Sequence, residues 1–253
     1  MGYFQGRNKH ELQRIHDIMI NANKVELLGY YGSDETIALS AWTSTSRELS
    51  DEKRERIPAL INQLWSADPV PHGTPFEKGM VHFLVTADIA THIHFLKHRI
   101  SSINAESARY KELKEDKVFV PVDFKHAQLN YDEITDPEVH EFFVKQPHEP
   151  YNWGSALSLF SNLSNALYHE AVKQLTPQLG RKRAKESARY FKLYNSQITF
   201  DVMFNLRSFH NFYTQRADKH AQLEVREIAL RMMELIKGIE GQPFKNTLKA
   251  WGV

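Results

Sequence analysis

The stretch KHRISSINAESARY, residues 97–110, concentrates side chains that bind anions. Lys97, His98 and Arg99 lead into Ser101, Ser102, Asn104, Ser107 and Arg109. Arginine offers a planar fork of donors matched to phosphate, and serine and asparagine add short hydrogen bonds. Backbone N–H groups in a turn after a helix can complete such a nest. A solvated helix end is the plainer reading, but such segments more often hold Glu and Lys than this order of cation, hydroxyl, amide, hydroxyl and cation. A second cluster, NLRSFHNFYTQRADKHAQLEVRE over 205–227, sets Asn205 three residues before Ser208 and Arg207 four before Asn211, so polar groups share helix faces. Its aromatic residues, Phe209, Phe212 and Tyr213, can pack in a core or stack on a planar ring. Arg216 stands just before Asp218, which reads as the cap of the next helix.

Other chemistries fare worse. His92, His94 and His98 suggest a metal site, since His94 and His98 are four apart, but no carboxylate stands close by as a further ligand and the zincin glutamate is missing. No metal is expected. His72 opens HGTPFE, a tight turn, and is uninformative alone. There is no Walker loop, no GxGxxG and no Gly-x-Ser-x-Gly elbow. The absence of cysteine excludes disulfides, thiolate metal sites and any cysteine nucleophile. A net charge of +1 gives no general attraction for nucleic acid or anionic lipid, so anion binding must be local.

The 253 residues suffice for one large domain with its own core. No stretch has the length of a membrane span and the N-terminus has no signal-type apolar run, which points to a soluble, cytoplasmic chain. Apolar spacing predicts a helix over 9–21, within an N-terminal extension covering 1–23. KVELLGYYG reads as a strand closed by a Gly-Ser-Asp turn. Ser50 caps a helix that runs through Pro58, with Ile57, Leu60, Ile61, Leu64 and Trp65 on one face. DPVPHGTPFEKG is expected to be irregular, MVHFLVTA a buried strand and 88–98 a helix, so the opening motif falls on a helix end and the loop beyond. KVFVPVDF is expected to be extended. Helices are expected near 136–146, 152–175, 181–191, 205–214, 218–238 and 243–250, with a strand in YNSQITFDVMF. With no linker between dissimilar halves, 24–253 reads as a single α+β domain, a mostly antiparallel sheet packed with a helical bundle.

These segments together resemble the flavin-dependent thymidylate synthases. The family signature is Arg-His-Arg, a seven-residue spacer and Ser; here Lys97-His98-Arg99 is followed by Ile100 to Glu106 and then Ser107, continuing into Ala108-Arg109-Tyr110. HGTPFE and FHNFYTQRADKHAQLEVRE match further family blocks in the same order. The resemblance implies conversion of dUMP to dTMP with methylenetetrahydrofolate as carbon donor, FAD as hydride carrier and NADPH as reductant, in a homotetramer with active sites at subunit interfaces. It implies that Arg216 is catalytic, acting against the uracil edge. His94, Lys97, Ala105, Glu106, Ser107, Ala108, Arg109 and Arg189 would line the dUMP site. ESARY occurs at both 106–110 and 186–190, so each copy would supply a phosphate- or ribose-clamping arginine. His72, Thr74, Lys97, His98, Arg99, Asn104, Asn205, Arg207 and Asn211 would hold FAD and folate. Ser107 is assigned to binding, since no general base is evident beside it.

Three positions depart from the family pattern. Lys97 replaces the first arginine and loses the planar fork. Ala105 stands where the family has Glu, with Glu106 one place later, about 100° of rotation on a helix. His94 replaces a glutamine and brings pH dependence. Two other readings remain: the same fold hydroxymethylating a pyrimidine nucleotide, and a non-catalytic nucleic-acid-binding protein using the same arginines and aromatics.

Overall fold

Alternating β-branched and aromatic residues make strands where one face can be buried, and the sheet follows that rule. The computed structural model describes residues 23–46, 48–107, 112–113, 116–146 and 150–253. The helix expected over 9–21 lies outside them, as do Ala108 and Arg109. Strand β1 (Lys24–Tyr31) pairs antiparallel with β2 (Met80–Asp88), and β3 (Ser102–Ala105) pairs antiparallel with β4 (Gln197–Asn205); the sheet order is β1-β2-β4-β3. Val81, Phe83 and Val85 of β2 and Phe200, Val202 and Phe204 of β4 are buried on one face. The class is α+β, as the sequence predicts.

The described chain divides into two compact units. No linker-like stretch separates them because neither is continuous: one comprises 23–86, 91–105 and 199–253, the other 87–90 and 106–198. The chain leaves the sheet after Ala105 and returns beside it, since Ala105 is the register partner of Phe200.

In the first unit, α1 (Asp34–Trp42) and α2 (Asp51–Trp65) follow β1. Helix α1 corrects the expectation of a simple turn: Ser33 caps it, bonding reciprocally with Thr36. Asp34 is buried and its carboxylate accepts from the N–H groups of Asn246 and Thr247 and the Thr247 hydroxyl. That ties α1 to α10 (Lys245–Ala250) at the other end of the chain. Proline and glycine do not leave 68–79 wholly irregular, because Thr74–Lys78 forms a 3-10 helix. Helix α3 (Ile89–Leu96) follows β2, and Ser102–Ala105, expected as loop, is a sheet-edge strand. Helix α8 (Leu206–Arg216) begins where β4 ends and packs Phe209 and Phe212 against Phe83, Phe95 and Phe204. Helix α9 (Leu223–Lys237) covers β1 and starts later than predicted, because Asp218 bonds the His220 N–H in a turn instead of capping the helix.

The second unit is mostly helical: α4 (Val122–His126), α5 (Pro137–Val144), α6 (Trp153–Leu179) and α7 (Arg181–Ala188). Only part of KVFVPVDF is extended, since Pro121 starts α4 rather than continuing a strand. Its charges gather on Lys192, whose Nζ donates to Asp116 Oδ1 at 2.8 Å and Asn165 Oδ1 at 2.7 Å and lies 4.4 Å from the Tyr168 ring. His169 bonds the other Asp116 oxygen at 2.9 Å. Among the described residues no helix is long and apolar enough to cross a membrane.

Candidate active site

Helix α3 ends at Leu96, and the turn beyond delivers Lys97, His98 and Arg99 with Ser101 donating to the His98 carbonyl at 2.6 Å. Asn205 terminates β4 and caps α8, accepting from the Ser208 N–H at 2.8 Å. Arg207, Asn211 and Gln215 are spaced four apart, so they share one face of α8. These pieces meet around a cleft of about 530 Å³ lined by Lys97, His98, Arg99, Asn205, Arg207 and Asn211, all six predicted from sequence. Ile100, Ser208, Gln215 and Glu77 complete it.

The cleft gathers cationic side chains. Among the described residues neither Lys97 nor Arg99 has an ion-pair partner; Arg207 pairs with Glu77 at 2.8 Å. The first turn of an eleven-residue helix lines the same space and brings the positive end of its dipole to it, with the Leu206 and Ser208 N–H groups already bonded to the Gly79 carbonyl and the Asn205 side chain. Gly73 backs Arg207 so closely that a Cβ there would sit 2.7 Å from its Nε. That donor set fits a polyanionic cofactor such as the pyrophosphate of a flavin dinucleotide. Glu77 and Gly73 belong to the HGTPFE block, but neither stood out in sequence because both read as turn residues. Gln215 was legible as the next member of the four-residue spacing.

Arg216, the last residue of α8, is half-buried, and its Nε–H donates to His98 Nε2 at 2.9 Å. Burial first, then the charge of Arg216 and the proximity of His94, push the His98 pKa down to about 4. His98 is therefore neutral at pH 7 and able to accept. His94 does not line the cleft; it pairs with the Gln222 side-chain oxygen at 2.9 Å.

The remaining expected residues are more dispersed. His72 and Thr74 are exposed and outside the cleft lining, though Gly73 between them touches Arg207. Asn104 is exposed on β3, its backbone N–H donating to Asp201 Oδ1 at 3.1 Å. Ala105, Glu106 and Ser107 follow, all half-buried. Arg189 lies in the helical unit at the end of α7, exposed, with its guanidinium 5.8 Å from the Tyr190 ring.

Comparison with known proteins places the chain in a family. The sequence model of the family described as "thymidylate synthase complementing protein" matches residues 26–240. The chain is 31% identical to a flavin-dependent thymidylate synthase of Pseudothermotoga lettingae over 218 residues, 85% of each chain. It is 30% identical to one from Tropheryma whipplei, covering 88% of this chain and 90% of that one. This chain belongs to the flavin-dependent thymidylate synthase family. Among solved structures, the UMP/dUMP methylase PolB of Streptomyces cacaoi, bound with 5-Br dUMP, has the same fold: its TM-score is 0.65, at 23% identity over 92% of this chain and 95% of that chain.

Proposed function

We propose that this protein is a cytoplasmic thymidylate synthase that methylates carbon 5 of dUMP in de novo dTMP synthesis, using methylenetetrahydrofolate, FAD and NADPH. One observation carries the reading. An anion-binding cleft and a half-buried guanidinium that, among the described residues, no carboxylate neutralises share helix α8.

Carbon 5 of uracil must be made electron-rich before it attacks a one-carbon unit. Addition of a cysteine sulfur at carbon 6 is one remedy, and this chain has no cysteine. A fixed cation against the oxygen–nitrogen edge of the ring favours its nitrogen-deprotonated form and moves electron density toward carbon 5, an oxyanion-hole type of effect. Arg216 has that role. Arg109 and Arg189 clamp phosphate or ribose, with His94, Lys97, Ala105, Glu106, Ser107 and Ala108 around the nucleotide. Lys97, Arg99, Arg207 and Asn211 hold FAD by charge and by hydrogen bonds from the asparagine amide; His72, Thr74, His98, Asn104 and Asn205 complete the cofactor and folate contacts. When bound, the flavin supplies hydride transfer, and the protein supplies orientation and charge. Assembly as a homotetramer with active sites at subunit interfaces is supported by α6, which exposes Phe160, Leu163 and Leu167 at helical spacing.

Purified protein should carry a flavin spectrum that NADPH bleaches, and should form dTMP from dUMP and the folate donor. Mass analysis of the product separates methylation from hydroxymethylation. Colourless protein with no turnover after FAD loading, and with steeply salt-dependent oligonucleotide affinity, overturns the proposal.

A further inference from the structure

Among the described residues, Arg216 has one hydrogen-bond partner, the Nε2 atom of His98. Arginine only donates and stays charged, so the imidazole nitrogen facing it carries no proton. His98 is thereby fixed as the neutral ring with its proton on Nδ1. The ring is also held sterically, edge-on to Phe212 at a centroid distance of 5.0 Å. Phe212 lies four residues before Arg216 on α8, so one helix face carries both contacts.

The surroundings are unusual for a histidine beside an arginine. From α8 the ring faces Arg216; from α3 it faces His94; Lys97 and Arg99 flank it in sequence. Glu77, the single carboxylate lining the adjoining cleft, is committed to Arg207. Among the described residues no neighbouring anion rewards a proton on His98. An arginine anchored by a carboxylate has its charge largely neutralised, whereas one anchored by a neutral ring keeps it.

We propose that His98 is a positioning residue for Arg216: it takes up the Nε–H and so fixes the guanidinium plane, leaving both terminal nitrogens to grip the oxygen–nitrogen edge of a pyrimidine. This rests on the reading of Arg216 as the uracil-activating group, and it gives His98 a task distinct from cofactor binding. Only Nδ1 of the ring remains to contact anything in the cleft.

The test measures dUMP affinity by calorimetry on flavin-loaded protein, together with flavin content and unfolding midpoint, for His98→Ala, His98→Gln and Arg216→Ala. The glutamine carbonyl can accept from Nε–H, and alanine cannot. His98→Ala, compared at full flavin loading, should bind dUMP at least about tenfold more weakly, and His98→Gln should recover most of the loss. Flavin loss with undiminished dUMP affinity in His98→Ala overturns the proposal, as does wild-type behaviour in both measurements. Undiminished dUMP affinity in Arg216→Ala sinks the underlying reading of Arg216; undiminished affinity in His98→Ala alone, with Arg216→Ala impaired, sinks only the positioning role. Should His98→Ala not fold, the unmodified protein decides through NMR of the Arg216 side-chain N–H, assigned by its loss in Arg216→Lys. Slow solvent exchange at neutral pH that becomes fast as His98 protonates supports the proposal, and fast exchange at neutral pH overturns it.

Discussion

The two units each hold a cation in a partly dry setting, and they hold it differently. Lys192 is 5% exposed and fully satisfied, with a carboxylate, an amide oxygen and an aromatic face around it. Arg216 is half-buried with a single bond to a neutral imidazole. A buried charge without full compensation is costly, so a fold that tolerates one is keeping it for something that binds later. The lysine serves the fold. Under the proposed function the arginine is left for a ligand.

Substitutions can break that contrast. The largest effect is expected for Arg216→Ala: turnover of dUMP falls by roughly 10³-fold, while the unfolding midpoint barely moves. A large drop in stability with only a modest loss of turnover would place Arg216 with Lys192 as a structural cation. Lys192→Met should do the opposite. It takes one partner from Asp116, which keeps His169, and one from Asn165, and costs about 2 kcal/mol, discounted because Asp116 remains partly in water, while turnover per folded molecule stays near that of the parent. Denaturant titration with parallel assays checks both.

Gly73→Ala sharpens the picture at the cleft. The added methyl group must displace the outer part of the Arg207 side chain, which can move. Stability should change little, and flavin retention, followed by dialysis and absorbance, should weaken by a few-fold, about 1 kcal/mol.

The smallest effect is on pH. Unfolded, His98 takes a proton near its ordinary 6.5; folded, only near 4. Between those values the unfolded chain binds more protons, so this contribution is full above 6.5 and declines as pH falls toward 4. Burial tends to raise the Asp116 carboxyl, but bonds from Lys192 and His169 outweigh it and hold it below the ordinary value, so its contribution persists to lower pH. Thermal melts from pH 7 to 4 should show a slope that is shallower in His98→Gln. An identical slope in the two proteins would show that His98 titrates normally.

Much of this was legible in sequence where local chemistry decides. Ser50 was a recognisable cap, a helix beginning near Asn205 was expected, and the Arg207–Asn211 spacing marked a shared helix face that lines the cleft. Ser102–Ala105 was missed because only Ile103 supplies an apolar side chain of strand-forming type; pairing with β4 makes it a strand. Helix α1 was missed because Ser33 and Asp34 signal a turn as readily as a cap. His98 and Arg216 were singled out separately, but a bond across 118 positions leaves no trace in local spacing.

The pairing of Ala105 with Phe200 has a consequence for how the chain can be edited. Antiparallel partners lie about 5 Å apart, a gap that a tight hairpin turn spans. The stretch from 106 to 198 thus leaves and rejoins the strands at adjacent positions, although its unit also takes in 87–90. A graft at that junction would keep every cleft residue but would carry away Ser107, Arg109 and Arg189 of the proposed nucleotide site.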